Sequence, residues 1–209
     1  VEELNNGGRF DFNTDFVIKT AFVVFDKRAK YEFEKLRDTT FLEKLETRFP
    51  DLETAVTCLR DWLDSKAMIR TGRFLPSQLA LIPIIDYLLL NKKYKYGPAD
   101  GSESQAIRQY LYMAFFTNLL AYGADSVLDQ IHDILITASK QQPGVFPIQQ
   151  LGEYMVRRRK LDAYQFRNDY LGNLGLVLNI ISNGVSELPK KRGWSLENDH
   201  IFPKAELGR

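Results

Sequence analysis

The sequence predicts an all-α protein, a bundle of about seven to nine helices followed by a short C-terminal extended segment. Apolar residues recur at spacings of three and four along most of the chain, as on one face of an α-helix. Helix-capping patterns open several of these runs, and prolines and glycines separate them. The period changes near Trp194. We therefore divide the chain into a helical domain, residues 1–193, and the start of a second domain, residues 194–209.

The composition is that of a globular protein and restricts its partners. The 209 residues suffice for one large domain or two small ones, each with a sizeable core. A net charge of +1 gives no overall attraction to nucleic acid, so any basic surface must be local. The single cysteine, Cys58, fits a reducing compartment, and we expect a cytoplasmic protein. The apolar stretch from Leu79 to Leu90 is too short for a membrane span.

Three helices are predicted in the first third of the chain. Asn13-Thr14-Asp15 can cap a first segment from Phe16 to Phe25, although the Val, Phe and Thr content leaves a strand open. The residues Thr40 to Glu43 form a capping-box pattern, which predicts a short helix that closes at Pro50. An apolar stripe then predicts a helix over Asp51 to Ser65.

The next helix is predicted to be the centre of the bundle. Pro76-Ser77 opens it, and the residues up to Leu90 are apolar on almost every side. Because a proline inside a helix removes a backbone hydrogen bond, we expect a bend at Pro83.

The second half of the chain continues the helical pattern. Ser102 and Gln105 form a capping box for a helix that stops near Gly123. Asp125 starts a helix whose inner face carries Leu128, Ile131 and Leu135. A shorter helix with Leu151, Tyr154 and Met155 ends in the basic run 157–160, and a last long segment covers Asp162 to Asn183, before a linker from Gly184 to Gly193.

The most informative motif lies near the C-terminus, where Asp199 and His200 precede Ile-Phe-Pro. A carboxylate is a hard oxygen ligand suited to Mg²⁺ or Mn²⁺. A neighbouring imidazole can take a proton from water. These are two of the three parts of metal-assisted phosphodiester hydrolysis. The alternative interpretation is an exposed turn in which the pair caps a strand.

The segment from Trp194 to Lys204 resembles the opening strand of the HNH nuclease domain (DUF1524) of GmrSD-like proteins. The helical stretches Phe74–Leu90 and Tyr110–Leu135 resemble the helical part of the DUF262 region that precedes this domain. The resemblance implies a type IV restriction nuclease that cuts modified foreign DNA and uses nucleotide. It also implies that Asp199 helps to hold a divalent metal ion and that His200 activates the attacking water.

Two parts of that family are missing from this sequence. The first missing part is the N-terminal α/β part of DUF262, which carries an Asp-Gly-Gln-Gln-Arg motif and the nucleotide site. The second is the later Asn-bearing segment of the HNH domain. The chain begins at Val1 and ends at Arg209, soon after the motif. We therefore expect a fragment that is inactive and binds no metal by itself, with the missing parts and DNA as its partners. Its tail should be poorly ordered or attached to the helical body.

Basic residues cluster twice in the sequence. Lys190, Lys191 and Arg192 lie within ten residues of His200, and we expect them to contact DNA phosphates. The run 157–160 ends a helix, where cations are favoured in any case. Solvated surface charge is the alternative interpretation of both clusters.

Two further residues carry reactive side chains. His132 has Asp129 one helical turn away, which would make a weak carboxylate–imidazole site, but its sequence neighbours favour a plain histidine on the helix surface. Cys58 is expected to be a buried or half-buried small apolar residue rather than a nucleophile. The alternative to a nuclease is a function of a different class, that of a non-enzymatic helical interaction module.

Overall fold

In the computed structural model, residues 5, 10–32, 34–159 and 176–177 are described, and this part of the chain is helical without any strand. The all-α prediction is confirmed there. The described residues contain six α-helices, against the seven to nine predicted for the whole chain, and four short π or 3₁₀ turns. Of the predicted segment Asp162 to Asn183, only Leu176 and Val177 are described, and both are helical and buried. The C-terminal extended segment lies outside the described residues.

Helix α1 covers Thr14–Ala21 and continues into a π-helical turn, Phe22–Asp26. Its predicted cap is confirmed, since the Asn13 side chain accepts a hydrogen bond from the backbone N–H of Phe16 at 2.8 Å. The strand alternative is wrong, because the apolar residues of this segment bury one helical face. Lys27, at a φ of 63°, ends the turn.

Helix α2 runs from Thr39 to Ser65 and contains Pro50, so the predicted stop at Pro50 is wrong. It is capped by Asp38, which accepts from the N–H of Thr40 at 2.9 Å, and not by the predicted box. Pro50 removes one backbone bond, at a cost of about 3 kcal/mol. The apolar stripe after it outweighs this cost, because burying each of its large side chains contributes about 1.5–3 kcal/mol. The stripe comprises Leu52, Val56, Leu59 and Leu63.

Helix α3, Ile82–Leu90, is the centre of the fold, as predicted. All its residues up to Leu89 are buried, and it packs against α1, α2, α5 and the π-helical turn. The predicted bend at Pro83 is wrong, because Pro83 lies in the first turn of α3, where its missing N–H has no helical partner to lose. A separate 3₁₀ turn, Gln78–Leu81, precedes helix α3. Among the described helices, none is both long and apolar enough to cross a membrane.

The remaining helices are α4 (Ser102–Phe116), α5 (Ala124–Gln141) and α6 (Ile148–Arg159). No side chain caps α4, so the predicted capping box does not form, and the helix ends seven residues before Gly123. The inner face of α5 is confirmed, with Leu128, Ile131 and Leu135 buried. The predicted apolar face of α6 is buried as well. Helix α6 packs on both α4 and α5.

Candidate functional site

The predicted catalytic residue His200 and the predicted metal ligand Asp199 lie outside the described residues, and so do Lys190, Lys191 and Arg192. The proposed boundary between residues 193 and 194 also lies there. These assignments therefore stay predictions. The described residues closest to them in sequence with charged side chains are at the end of α6.

The C-terminal end of α6 presents arginines at the surface. Arg157 and Arg158 are exposed, and neither forms an ion pair with another described residue. The carbonyl groups at a helix C-terminus favour such cations. This end lies beside the start of α5, since a Cβ placed on Gly123 would come within 3.1 Å of Arg158 Nη2. Of the predicted basic run 157–160, the side chains of Arg157 and Arg158 thus face solvent, and that of Arg159 is half-buried.

A buried acid–histidine pair joins α3 to α5. Asp86 Oδ2 lies 2.6 Å from His132 Nδ1, and the two side chains are only 1% and 2% exposed. Asp86 Oδ1 and His132 Nε2 are buried without a hydrogen-bond partner within the described part of the chain. Burial raises the pKa of the Asp86 carboxyl group, and the hydrogen bond and charge of His132 offset part of that increase.

The prediction of a surface histidine is therefore wrong. His132 is inside the core, and its partner is Asp86 rather than Asp129, the acid one turn away. Asp129 instead accepts a hydrogen bond from the backbone N–H of Ala29 at 2.7 Å. One sequence signal indicates this pair, the single acid inside the apolar stretch of α3. A carboxyl group there must be buried, and a buried carboxyl group needs a polar partner.

A second polar cluster surrounds the hydroxyl group of Tyr87. This oxygen lies 2.5 Å from Glu103 Oε1 and 2.7 Å from the carbonyl oxygen of Gly144. Lys93 Nζ donates to the same two acceptors, at 2.8 and 2.9 Å. Burial and the neighbouring Glu103 raise the pKa of the Tyr87 hydroxyl. Because its polar groups are mutually satisfied, the cluster ties α3, α4 and the α5–α6 loop together and leaves little capacity for a ligand.

Cys58 is half-buried on α2, as the sequence predicts. Burial, followed by the charge of Asp61, raises the pKa of its thiol. A thiol held in its neutral form is a poor nucleophile, which agrees with a packing role.

A cleft of about 170 Å³ lies between the 3₁₀ turn before α3 and the end of α4. Most of its lining residues are apolar, and Ser77 and Asn118 are its polar side chains. No acid or base contributes to this lining, so the cleft does not offer acid–base chemistry.

No cluster of three or more His, Cys, Asp or Glu side chains that could hold a metal ion occurs in residues 10–32 and 34–159 of the fold. In comparisons with known proteins, no family model, curated protein or solved structure matched this chain.

Proposed function

We propose that this chain is the helical part of a GmrSD-like restriction nuclease, residues 1–193, joined to the beginning of its HNH domain. The intact cytoplasmic protein would cut modified foreign DNA by metal-assisted phosphodiester hydrolysis. The observation that carries the proposal is the motif Asp199-His200 before Ile-Phe-Pro, which follows a sequence with helical apolar spacing. The helical architecture of the described residues agrees with the helical part of DUF262 but is common to many unrelated proteins.

The residue types of the motif suit this chemistry. The Asp199 carboxylate is the hard oxygen donor that Mg²⁺ or Mn²⁺ prefers, and such an ion, when bound, would stabilise negative charge on the phosphate. The His200 imidazole would accept the proton of the attacking water. Since the family's later Asn-bearing segment is missing from this sequence, the 209-residue chain alone should not cleave DNA.

In this proposal the helical body positions the nuclease domain and the DNA. The core around α3 provides a rigid support, because its side chains are almost fully excluded from water. Lys190, Lys191 and Arg192 would contact DNA phosphates beside the active site. The arginines at the end of α6 are the described charged residues that precede that segment most closely in sequence.

The test is DNA cleavage by the full-length protein in Mg²⁺ or Mn²⁺ with His200→Ala. Removing a general base should lower the rate by about 100-fold or more. The control is Asp133→Asn, which changes an exposed charged residue of the helical body and should leave cleavage unchanged. Unchanged cleavage by a folded His200→Ala protein would show that the catalytic assignment is wrong.

The second candidate function is a non-enzymatic interaction module. Exposed apolar side chains favour it, namely Tyr122, 76% exposed, before α5 and Val156, 53% exposed, near the end of α6. The codons downstream of Arg209 in the gene distinguish the two functions. An Asn and a second His or Asn within roughly fifty codons would complete a nuclease site, whereas an unrelated domain there would favour the module.

A further inference from the structure

Asp86 and His132 occupy the contact between α3 and α5, where both side chains are almost fully buried. One hydrogen bond of 2.6 Å joins them. The second oxygen of Asp86 and the second ring nitrogen of His132 have no partner among the described residues. Because charge is costly to bury without partners, the number of charges on this pair decides how well it holds the two helices together.

Three distributions of charge keep the hydrogen bond between the two side chains. An ionised Asp86 beside a neutral imidazole leaves a buried negative charge, with one oxygen unpartnered. An ion pair between carboxylate and imidazolium leaves two buried charges, each with an unpartnered polar atom. A protonated carboxyl group that donates from Oδ2 to a neutral imidazole leaves only a neutral carbonyl and a neutral N–H unpartnered. The third arrangement has the smallest desolvation cost.

We propose that Asp86 and His132 form a neutral latch between α3 and α5, in which the Asp86 carboxyl group donates its proton to His132 Nδ1 and loss of that proton loosens the two helices. Burial has the largest effect on the pKa of the Asp86 carboxyl group and raises it, which agrees with a protonated carboxyl group. The latch belongs to the helical body and does not depend on the chemistry of the C-terminal motif.

Among the described residues, His132 is the only neighbouring side chain that shifts the pKa of Asp86. On the surrounding elements, Tyr154 of α6 is buried and Cys58 of α2 is half-buried, and the remaining ionisable side chains have partners of their own or are exposed. The 3₁₀ turn before α3 has no ionisable side chain. The partnered groups are Lys19 with Asp125, Asp26 with Lys35, Arg28 with Asp129, Asp51 with Tyr94, Arg60 with Asp61, Asp64 with Arg70, and Lys93 and Tyr87 with Glu103. The exposed groups include Asp133 on α5 and Glu153, Arg157 and Arg158 on α6.

The latch makes the stability of the fold depend on pH. When the pKa of a carboxyl group is higher in the folded chain than in the unfolded chain, the group stabilises the fold. This stabilisation is complete at pH values below the pKa of the unfolded chain. The stabilisation is lost as the pH rises through the higher pKa of the folded chain. Helix α5 also holds the N-terminal segment through Asp125 and Asp129, so loosening α5 should weaken those contacts too.

The first test compares thermal unfolding of the unsubstituted chain and of Asp86→Asn from pH 4 to pH 10. An asparagine has the same shape and donates an N–H to His132 Nδ1 without being able to ionise. At pH 7 its melting temperature should stay within about 3 °C of the unsubstituted chain. The unsubstituted chain should lose stability relative to Asp86→Asn as the pH rises. A difference that is constant over this range would overturn the latch.

The second test reads the histidine ring directly and needs no substitution in the core. The chain has two histidines, so a His200→Gln variant leaves His132 as the only imidazole. Nitrogen chemical shifts at pH 7 should show a neutral ring with its proton on Nε2 and an unprotonated Nδ1. A ring protonated on Nδ1, alone or together with Nε2, would mean that Asp86 does not donate its proton to this nitrogen, and the proposal would be wrong.

Discussion

Asp129 on α5 accepts a hydrogen bond from the backbone N–H of Ala29 at 2.7 Å, which fixes the segment after α1 to a helix one hundred residues away. Ala29 is fully buried. A buried backbone N–H needs an acceptor, and the Asp129 carboxylate supplies it. This bond and the ion pair between Lys19 and Asp125 hold the N-terminal segment along α5.

Asp129→Ala should therefore destabilise the fold by about 1–3 kcal/mol, because it leaves the Ala29 N–H without a partner. Urea unfolding measures the loss. Amide hydrogen exchange should also accelerate in residues 22–31 before it does in α3. The matched control is Asp133→Ala, one turn further along and exposed, which should change the stability by less than about 0.5 kcal/mol. Equal effects of the two substitutions would contradict the bond.

Two buried tyrosines offer a matched comparison, because both rings contact Phe146 edge-on. The Tyr87 hydroxyl bridges Glu103 and Gly144, whereas the Tyr110 hydroxyl has no partner within the described residues. Tyr87→Phe should cost about 1 kcal/mol, near the low end for a lost hydrogen bond, since Lys93 still donates to both acceptors. Tyr110→Phe should be neutral or stabilising, because it removes an unsatisfied buried polar group.

Chemical denaturation of the two single variants measures both values under the same conditions. A loss of stability from Tyr110→Phe as large as that from Tyr87→Phe would show that the Tyr110 hydroxyl has a partner after all. Tyr96→Phe, at a side chain 87% exposed, provides the baseline for removing a hydroxyl group from the surface.

The local part of the fold is predictable from the sequence. On α5 and α6, apolar residues recur every three or four positions and form one buried face on each helix. This spacing can be read from the sequence of each helix by itself. The cap of α1 is equally local, since Asn13 bonds a backbone N–H only three residues ahead. Such features need no knowledge of which helices pack together.

The errors arise where tertiary packing decides. The local sequence predicts a helix end at Pro50, but α2 continues past it because the apolar residues that follow are buried. It also places His132 at the surface, because its partner Asp86 is 46 residues away and meets it only when α3 packs on α5. The nuclease motif at Asp199 and His200 raises a different problem. Two residues indicate a chemistry, but a complete site needs further groups brought together by folding.

Pro50→Ala should stabilise the protein. Pro50 lies inside α2, is exposed and lacks the N–H that an interior helical residue donates to the carbonyl four residues before it. An alanine restores that bond, and we expect a gain of about 1–3 kcal/mol in the free energy of unfolding. Pro83→Ala is the contrasting variant, since a first-turn proline interrupts no bond and its buried ring would be lost. It should destabilise the fold, and a gain there would contradict the first-turn position.

The predicted DNA contacts can be tested through the salt dependence of binding by the full-length protein. Each phosphate neutralised by a cation releases counterions, so the slope of log K against log salt concentration counts such contacts. Replacing Lys190, Lys191 and Arg192 together by alanine should reduce the magnitude of that slope by about 2.7, at about 0.9 per contact. The affinity should fall for all DNA sequences alike, because phosphate contacts carry no base information.

The control for that variant changes the same kind of charge elsewhere. Lys44 is exposed on α2, and Lys44→Ala should leave the slope unchanged. A double variant, Arg157→Ala with Arg158→Ala, separates the two basic clusters, because a contact by the end of α6 would lower the slope by up to about 1.8 more. If the slope is unaffected by the triple substitution, the cluster beside the motif is solvated surface charge and the DNA path must lie elsewhere on the protein.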